Sequence, residues 1–436
     1  MRRVFTLLLS ILPLAAGAQE WTLQQCIDYA LEHNITVRQG SISVQQGEID
    51  LNTAQMRRLP AVSGSASESL SFGRGIGADN VYENANTTGT GFNLGAQVPV
   101  FQGFAINHQI ALRKLNLAAA EANLEKIKDD IRMSVARAYV QILYDMEILD
   151  VARSQVGIDS LQVERLEAMK LTGKASAAEV AQQKSALGQS RYSAAVATSN
   201  LSIATLELTQ LLELPSPEGF VVARPEPAEL DVRLLDSPED IYADAVVGRA
   251  SVLAEQRRLE VAEKQIDLAK SQYYPSLSLS GGIGTNYYTT SRTQMASFAD
   301  QMKNNFSQSL GLTLSIPIFN RFATRNQVRS AQLARDNQQL QLESSRKSLY
   351  KEIQQAWYNA LAAQTKYLSS QDAEASTAES YNLVLAKYEG GKANITEFNE
   401  AKQNYLKSAS DLAQARYEFL YSSRLLSFYR DGILDF

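Results

Sequence analysis

"VPVFQGFAINHQI", Val98–Ile110, and "IPIFNRFATRNQV", Ile316–Val328, lie 218 positions apart and read alike. Each begins as a strand, with apolar residues alternating around a proline. Each ends as the start of a long segment almost free of Gly and Pro. A period-two pattern that hands over to a helical one marks a point where the chain changes its secondary structure. The match extends outward without a gap. Ala138-Tyr139 falls on Ala356-Trp357, Gly173-Lys174-Ala175 on Gly391-Lys392-Ala393, and Glu179 on Glu397. Pro60 pairs with Pro275 at an offset of 215, so a three-residue difference falls in a loop between those markers. The chain therefore reads as two structural repeats.

Each repeat has the same order of textures: helix, strand, strand, long helix, return helix. Helical segments are expected at Leu23–Arg58 and Ile241–Tyr273. Strands follow at about 61–72 and 91–100, and at about 276–288 and 308–318. Long helices are expected over Gln102–Leu171 and Asn320–Glu389, tip turns at 171–176 and 389–394, and return helices over Ser176–Leu212 and Asn394–Ser427. The first repeat spans 19–212 and the second 241–436. Between them, 213–240 is proline-rich ("ELPSPEGFVVARPEPAELD") and reads as an irregular linker. The long helices carry a seven-residue apolar stripe, as at Leu117, Leu124 and Ile131, which is a coiled-coil pattern. Seventy helical residues would reach about 105 Å at 1.5 Å each, a length suited to a scaffold or a tube.

Residues 1–18 read as a signal peptide. Arg2 and Arg3 precede a short apolar run, and Ala16–Ala18 supplies a small-x-small cleavage site. Beyond it no stretch approaches the ~18 apolar residues of a membrane helix, so any crossing must use strands. The formal net charge is −5 in a chain of 436 residues, which speaks against nucleic acid as a partner. The two histidines, His33 and His108, stand alone in helical patterns. No Gly-rich phosphate loop and no metal-ligand cluster accompany them, so neither an enzyme nor a cofactor is expected. The one cysteine, Cys26, reads as a small buried helix residue.

The strands have two faces. "QSLGLTLSIPI" sets Leu310, Leu312, Leu314 and Ile316 against Ser309, Thr313 and Ser315. "SLSLSGGIG" sets Leu277, Leu279 and Ile283 against serines. "GFNLGAQVPV" sets Phe92, Leu94, Ala96, Val98 and Val100 against Asn93 and Gln97. In "VSGSASESLSF" the face with Val62, Leu70 and Phe72 also carries Glu68. Such alternation suits a membrane β-barrel and equally a soluble sheet with one buried face. Pro60, Pro99, Pro275 and Pro317 sit where strand and helix patterns meet, so they read as strand–helix switch points. The loops "GRGIGADNVYENANTTG" and "NYYTTSRTQMASFADQMKNN" are polar. Four strands cannot close a barrel, and an open edge is forbidden in lipid, so a membrane reading requires several protomers.

The tip turns share one design. Gly173 and Gly391 are suited to a left-handed helix end. Ser176 and Asn394 are N-caps, with Glu179 and Glu397 three residues on, as in a capping box. Locally, each copy reads as a tight helix–turn–helix hairpin at the far end of a long rod.

With these features in order, together with "WTLQQCIDYALEHN" and "YYPSLSLS", the chain resembles the TolC-type outer-membrane efflux proteins over essentially its whole mature length. The resemblance implies a mixed fold, an α-helical barrel plus a membrane β-barrel. That fold is a homotrimeric tube with a shared 12-stranded barrel in outer-membrane lipid and a long periplasmic helical barrel. The linker would join an equatorial region. It implies a duct of a tripartite efflux or type I secretion system, exporting solutes or proteins with a periplasmic adaptor and an inner-membrane pump. Gly173, Lys174, Gly391 and Lys392 match the family's adaptor-docking tips. Glu397 and Glu400 match its acidic periplasmic aperture, Tyr388 its locking tyrosine, and Glu179 the acidic partner of that tyrosine. The family's locking arginine falls on Ala393, where the match fails. The alternative is a periplasmic coiled-coil tether or adaptor.

Overall fold

The computed structural model describes residues 20–76, 81–225, 236–291 and 294–434. The expected signal segment, residues 226–235 of the linker, and loop residues 77–80 and 292–293 lie outside the described residues. In chain order the elements are β1 (Glu20–Trp21), α1 (Leu23–His33), α2 (Ile35–Met56), β2 (Ala61–Ser71), β3 (Arg74–Ile76), β4 (Tyr82–Asn84), β5 (Thr87–Gln102), α3 (Ala105–Leu171), α4 (Ala177–Leu211) and β6 (Val221–Val222). Then follow α5 (Pro238–Gly248), α6 (Ala250–Lys270), β7 (Ser276–Thr290), α7 (Phe298–Asn304), β8 (Ser307–Ser315), α8 (Ala323–Glu389) and α9 (Ile395–Asp431).

Two segments expected as single helices are each broken once. Asn34 is extended at φ −60°, ψ 130° and separates α1 from α2. Its side chain donates to the Leu211 carbonyl at 3.0 Å and accepts from the Thr36 amide at 2.9 Å. The Asn34 backbone keeps its helix bonds to Ala30 and Arg38, while its side chain gives the Thr36 amide an acceptor at the start of α2. Arg249, at φ −70°, ψ 128°, separates α5 from α6. One of the switch prolines also needs correcting. Pro60 and Pro275 directly precede β2 and β7, as expected. Pro99 instead lies inside β5, opposite Ser278, beside a register shift between Pro99 and Phe101. A bulge there accommodates a residue that cannot donate to the ladder. Pro317 follows β8 by two residues, in the connection between β8 and α8.

The chain divides into two compact units, and each draws on both repeats. One holds the chain up to Ser41, Asn123–Val252 and Ser345 onward. Its largest core gathers Leu23, Cys26 and Ile27 of α1, Tyr139, Ile142 and Leu143 of α3, Leu208 of α4 and Phe428 of α9. Burial pushes the Cys26 thiol up to about 12, so it stays protonated. β1 and β6 pair in parallel, bringing the start of the described chain to the linker. The Tyr139 hydroxyl donates to the Ala223 carbonyl beside them at 2.7 Å. Arg249 is held by the Phe428 and Tyr429 rings, 4.2 and 5.4 Å from its guanidinium carbon, and by Asp129 at 3.7 Å.

The other unit holds Ile42–Ala122 and Leu253–Ser344. Its centre is a four-stranded antiparallel sheet in the order β2-β5-β7-β8. Directly opposed residues share a face. Leu312 faces Leu279, which faces Val98; Leu310 faces Gly281, which faces Ala96 and then Val62. The other face carries Thr313, Ser278 and Pro99, and further along Ser309, Gly282, Gly95 and Ser63. The alternation read from each strand thus joins into one apolar and one small-polar face. Glu68 lies on the apolar face, where Thr90 opposite it donates to its carboxylate. β2 and β8 form the two edges of this sheet.

Candidate functional site

The two tip turns are built alike. Gly173 has φ 74° and Gly391 φ 69°. The Lys174 amide donates to the Met169 carbonyl at 2.9 Å and that of Gly173 to Lys170 at 3.0 Å. The Lys392 amide likewise donates to the Lys387 carbonyl at 2.8 Å and that of Gly391 to Tyr388 at 3.1 Å. This paired pattern is the Schellman motif, which needs a left-handed residue at its turn. It leaves the Lys174 and Lys392 side chains exposed.

The caps differ in one respect. Ser176 and Glu179 form a full capping box: the Glu179 amide donates to Ser176 Oγ at 3.2 Å and the Ser176 amide to Glu179 Oε2 at 2.6 Å. That backbone donor holds the Glu179 carboxyl below its usual range. Asn394 Oδ1 accepts from the Glu397 amide at 2.9 Å, but it is the Asn394 side chain, through Nδ2, that donates to Glu397 Oε1 at 3.1 Å. The reciprocal box expected there is therefore replaced by a side-chain pair. Asparagine has a donor that intercepts the carboxylate, and serine at the first tip offers only a hydroxyl.

Tyr388 meets α3 through a residue that the sequence did not single out. Its ring stacks on Phe398 at 5.0 Å, and the Arg165 guanidinium carbon lies 5.3 Å from its centroid. Arg165 also reaches the Glu389 carboxylate at 3.5 Å and donates to the Glu389 carbonyl at 3.4 Å. Burial raises the Tyr388 pKa, and Arg165 partly offsets that. The expected partner, Glu179, turns its carboxylate to the Ser176 amide. Glu397 and Glu400 are both exposed, and only Glu397 is engaged in the cap. They lie three apart on α9, on one side of the helix.

The opposite side of the same turn of α9 holds a buried polar cluster. Lys402 pairs with Asp159 of α3, with side chains 2% and 0% exposed. Gln183 of α4 donates to Asp159 Oδ1 at 3.0 Å, and Asn399 donates to Gln183 Oε1 at 3.2 Å. Asp159 Oδ2, Gln162 Oε1 and Asn399 Oδ1 are buried without a partner. Leu166, Val180, Tyr381, Ile395 and Phe398 pack nearby as an apolar cluster, so both tips belong to one packed structure. A signal for the cluster was present in the heptads. Ala152, Asp159 and Leu166 are seven apart, as are Ile395 and Lys402, so charges occupy core positions. Among the described residues no group of His, Cys, Asp and Glu is arranged to hold a metal, and no helix is long and apolar enough to cross a membrane.

A family model described as "Outer membrane efflux protein" matches residues 26–213 and 241–429, most of the chain. The chain is 23% identical over 393 residues to outer membrane protein TolC of Escherichia coli, covering 85% of this chain and 78% of that one. Among solved structures it resembles the CmeC outer membrane channel of Campylobacter jejuni, with TM-score 0.77 and 18% identity over 94% of this chain and 86% of that one. It also resembles the outer membrane protein VceC of Vibrio cholerae, with TM-score 0.75 and 18% identity over 94% and 95% of the two chains. Nothing in these similarities points to a periplasmic tether or adaptor.

Proposed function

Because the chain belongs to the outer membrane efflux protein family, we propose that it is the outer-membrane duct of a tripartite export assembly, working as a homotrimer with a periplasmic adaptor and an inner-membrane pump. The observation that carries this is the sheet. It has one largely apolar face, a small-polar face and two edges, and Leu310, Leu312 and Leu314 are 82, 65 and 59% exposed on the apolar side. A protein surface in water rarely shows such a row. In lipid it is the expected outer surface, and its edges must then be paired. Three copies supply twelve strands, enough to close a barrel around a channel. The small residues of the other face would line the lumen. The family consists of ducts rather than enzymes.

Under this reading Lys174 and Lys392, on exposed Schellman turns, are the adaptor contacts. Glu397 and Glu400 line the periplasmic aperture, with Tyr388 and Glu179 beside it. The linker 213–240 joins the equatorial region, and the repeats 19–212 and 241–436 follow the signal peptide 1–18. The test is crosslinking in cells. Cysteines at positions 174 and 392 should capture a periplasmic adaptor, and a cysteine at Asn84 should not. Capture at Asn84 alone would place the tips on the wrong side of the membrane.

A further inference from the structure

The turns that lead from sheet to long helix have left-handed backbone and carry exposed aromatic rings at matching positions, 218 apart. Phe104 and Phe322, 218 positions apart, have φ of 65° and 63°, and the residues before them, Gly103 and Arg321, have 58° and 55°. Left-handed backbone is disfavoured for any residue with a Cβ, and a bulky one there is an outlier. Each strained ring meets the phenylalanine three positions earlier edge to face: Phe101–Phe104 at 5.2 Å and 87°, Phe319–Phe322 at 5.6 Å and 87°. The elbows differ where space demands it. A Cβ at Gly103 would come within 2.5 Å of the Ser271 carbonyl oxygen, whereas Arg321 is exposed.

Core packing does not account for the strain. Phe104, Phe319 and Phe322 are 55, 71 and 56% exposed. Strain maintained around exposed side chains points to a surface they serve. The register shows where that surface lies. Gln102 opposes Ser276, and Ser276 opposes Ser315, so both elbows leave the sheet at the same end. Arg57 and Arg58 close α2 just before β2 starts at that end. Arg58 donates to Asn107 at 2.8 Å, and the Arg325 guanidinium carbon lies 5.8 Å from the centroid of the Phe322 ring. Segments 51–61, 100–107, 271–279 and 316–326 contain four arginines and no Asp or Glu. The apolar face of β8 runs on into this end through Ile316 and Ile318.

We propose that this end of the sheet is a docking collar for anionic phospholipid headgroups. The elbow phenylalanines sit at the depth of the glycerol backbone, and Arg57, Arg58, Arg321 and Arg325 hold lipid phosphates. Aromatic rings favour the membrane interface, and arginine matches phosphate geometry. The partner is a lipid rather than a second copy because the collar is continuous with the apolar face and has no acid in its segments. This rests on the sheet's apolar face meeting lipid. The helices lie on the periplasmic side, so the headgroups belong to the periplasm-facing leaflet.

The test is native mass spectrometry of the delipidated full-length protein, titrated with phosphatidylglycerol or phosphatidylcholine, with planar-bilayer conductance recorded on the same samples. The wild type should retain phosphatidylglycerol preferentially. R57Q/R58Q and R321Q/R325Q should each weaken that retention, roughly fivefold per arginine removed, with conductance intact. F319A/F322A should lower retention of both lipids equally. Unchanged preference in both glutamine pairs, with conductance intact, overturns the collar and leaves the sheet in lipid. Loss of the oligomer with lipid preference retained assigns the arginines to a subunit contact and also overturns it. Absence of conductance from the wild type overturns the lipid-facing sheet itself, and the collar with it.

Discussion

Lys402 and Asp159 place opposite charges at positions where the neighbouring heptad residues, Ile395 and Leu166, are apolar and buried. Desolvating two charges costs several kcal/mol per ion, and their attraction repays this only with good geometry and full hydrogen bonding. Here the bonding is incomplete, since Asp159 Oδ2 has no partner. The pair should therefore add little net stability while fixing how α9 sits against α3. Lys402→Met alone leaves a buried carboxylate and should destabilise the protein by about 3–5 kcal/mol. Adding Asp159→Leu should recover most of that loss. Thermal melts of the helical signal for the two single variants and the double would decide; a double variant as unstable as the sum of the singles would mean that the residues are not coupled. The same residue scale shows why part of the site could not be read in advance. Glu179 and Glu397 occupy matching sequence positions, yet one N-cap is serine and the other asparagine, and that choice decides where the carboxylate bonds. Arg165 lies 223 positions before Tyr388, and no local pattern announces their contact.

The elements that were legible are those set by long periodicity. The strands begin and end within a few residues of the expected bounds, and their two faces are the ones read from the alternation. Both Gly-Lys turns fall where a left-handed glycine followed by a cap requires them. The break at Asn34 was not legible, because Asn34 stops its helix through side-chain bonds rather than through Gly or Pro; the break at Arg249 did have a signal, Gly248 at the end of α5, that was passed over. The bulge near Pro99 was also missed, since alternation continues across it. A sheet with a lipid face and a lumen face predicts opposite tolerances for neighbouring residues. Leu312 and Thr313 are adjacent on β8 and point to opposite faces. On the proposed barrel Leu312→Arg would place a charge toward lipid, at a cost of about 2–4 kcal/mol at the bilayer midplane. Thr313→Arg places it toward water. The first should deplete assembled protein from the outer-membrane fraction, and the second should leave it near wild-type levels. Equal depletion would mean that the faces are assigned wrongly.

Across the whole chain the repeats do not correspond to the compact units. Each unit takes a part of both repeats, so neither repeat is a domain that buries its own core. One unit contains both tips, and it therefore holds the residues that would control entry to a duct. Glu397 and Glu400 share a side of α9, opposite the buried Asn399 and Lys402 cluster. In the proposed trimer they would form two stacked rings of carboxylates at the periplasmic entrance. Acidic rings at a constriction favour cations and hold multivalent ones. The two glutamates do not test this equally. Glu397 bonds the Asn394 side chain and completes the start of α9, so its loss would also weaken a cap by about 1 kcal/mol. Glu400 is exposed and outside the cap, so its charge can be removed without touching that structure. Glu400→Gln should leave the oligomer and its melting temperature unchanged. In planar bilayers it should weaken cation over anion selectivity and reduce block by divalent and trivalent cations added from the tip side. Unchanged selectivity and block in an intact trimer would move the constriction away from this turn of α9.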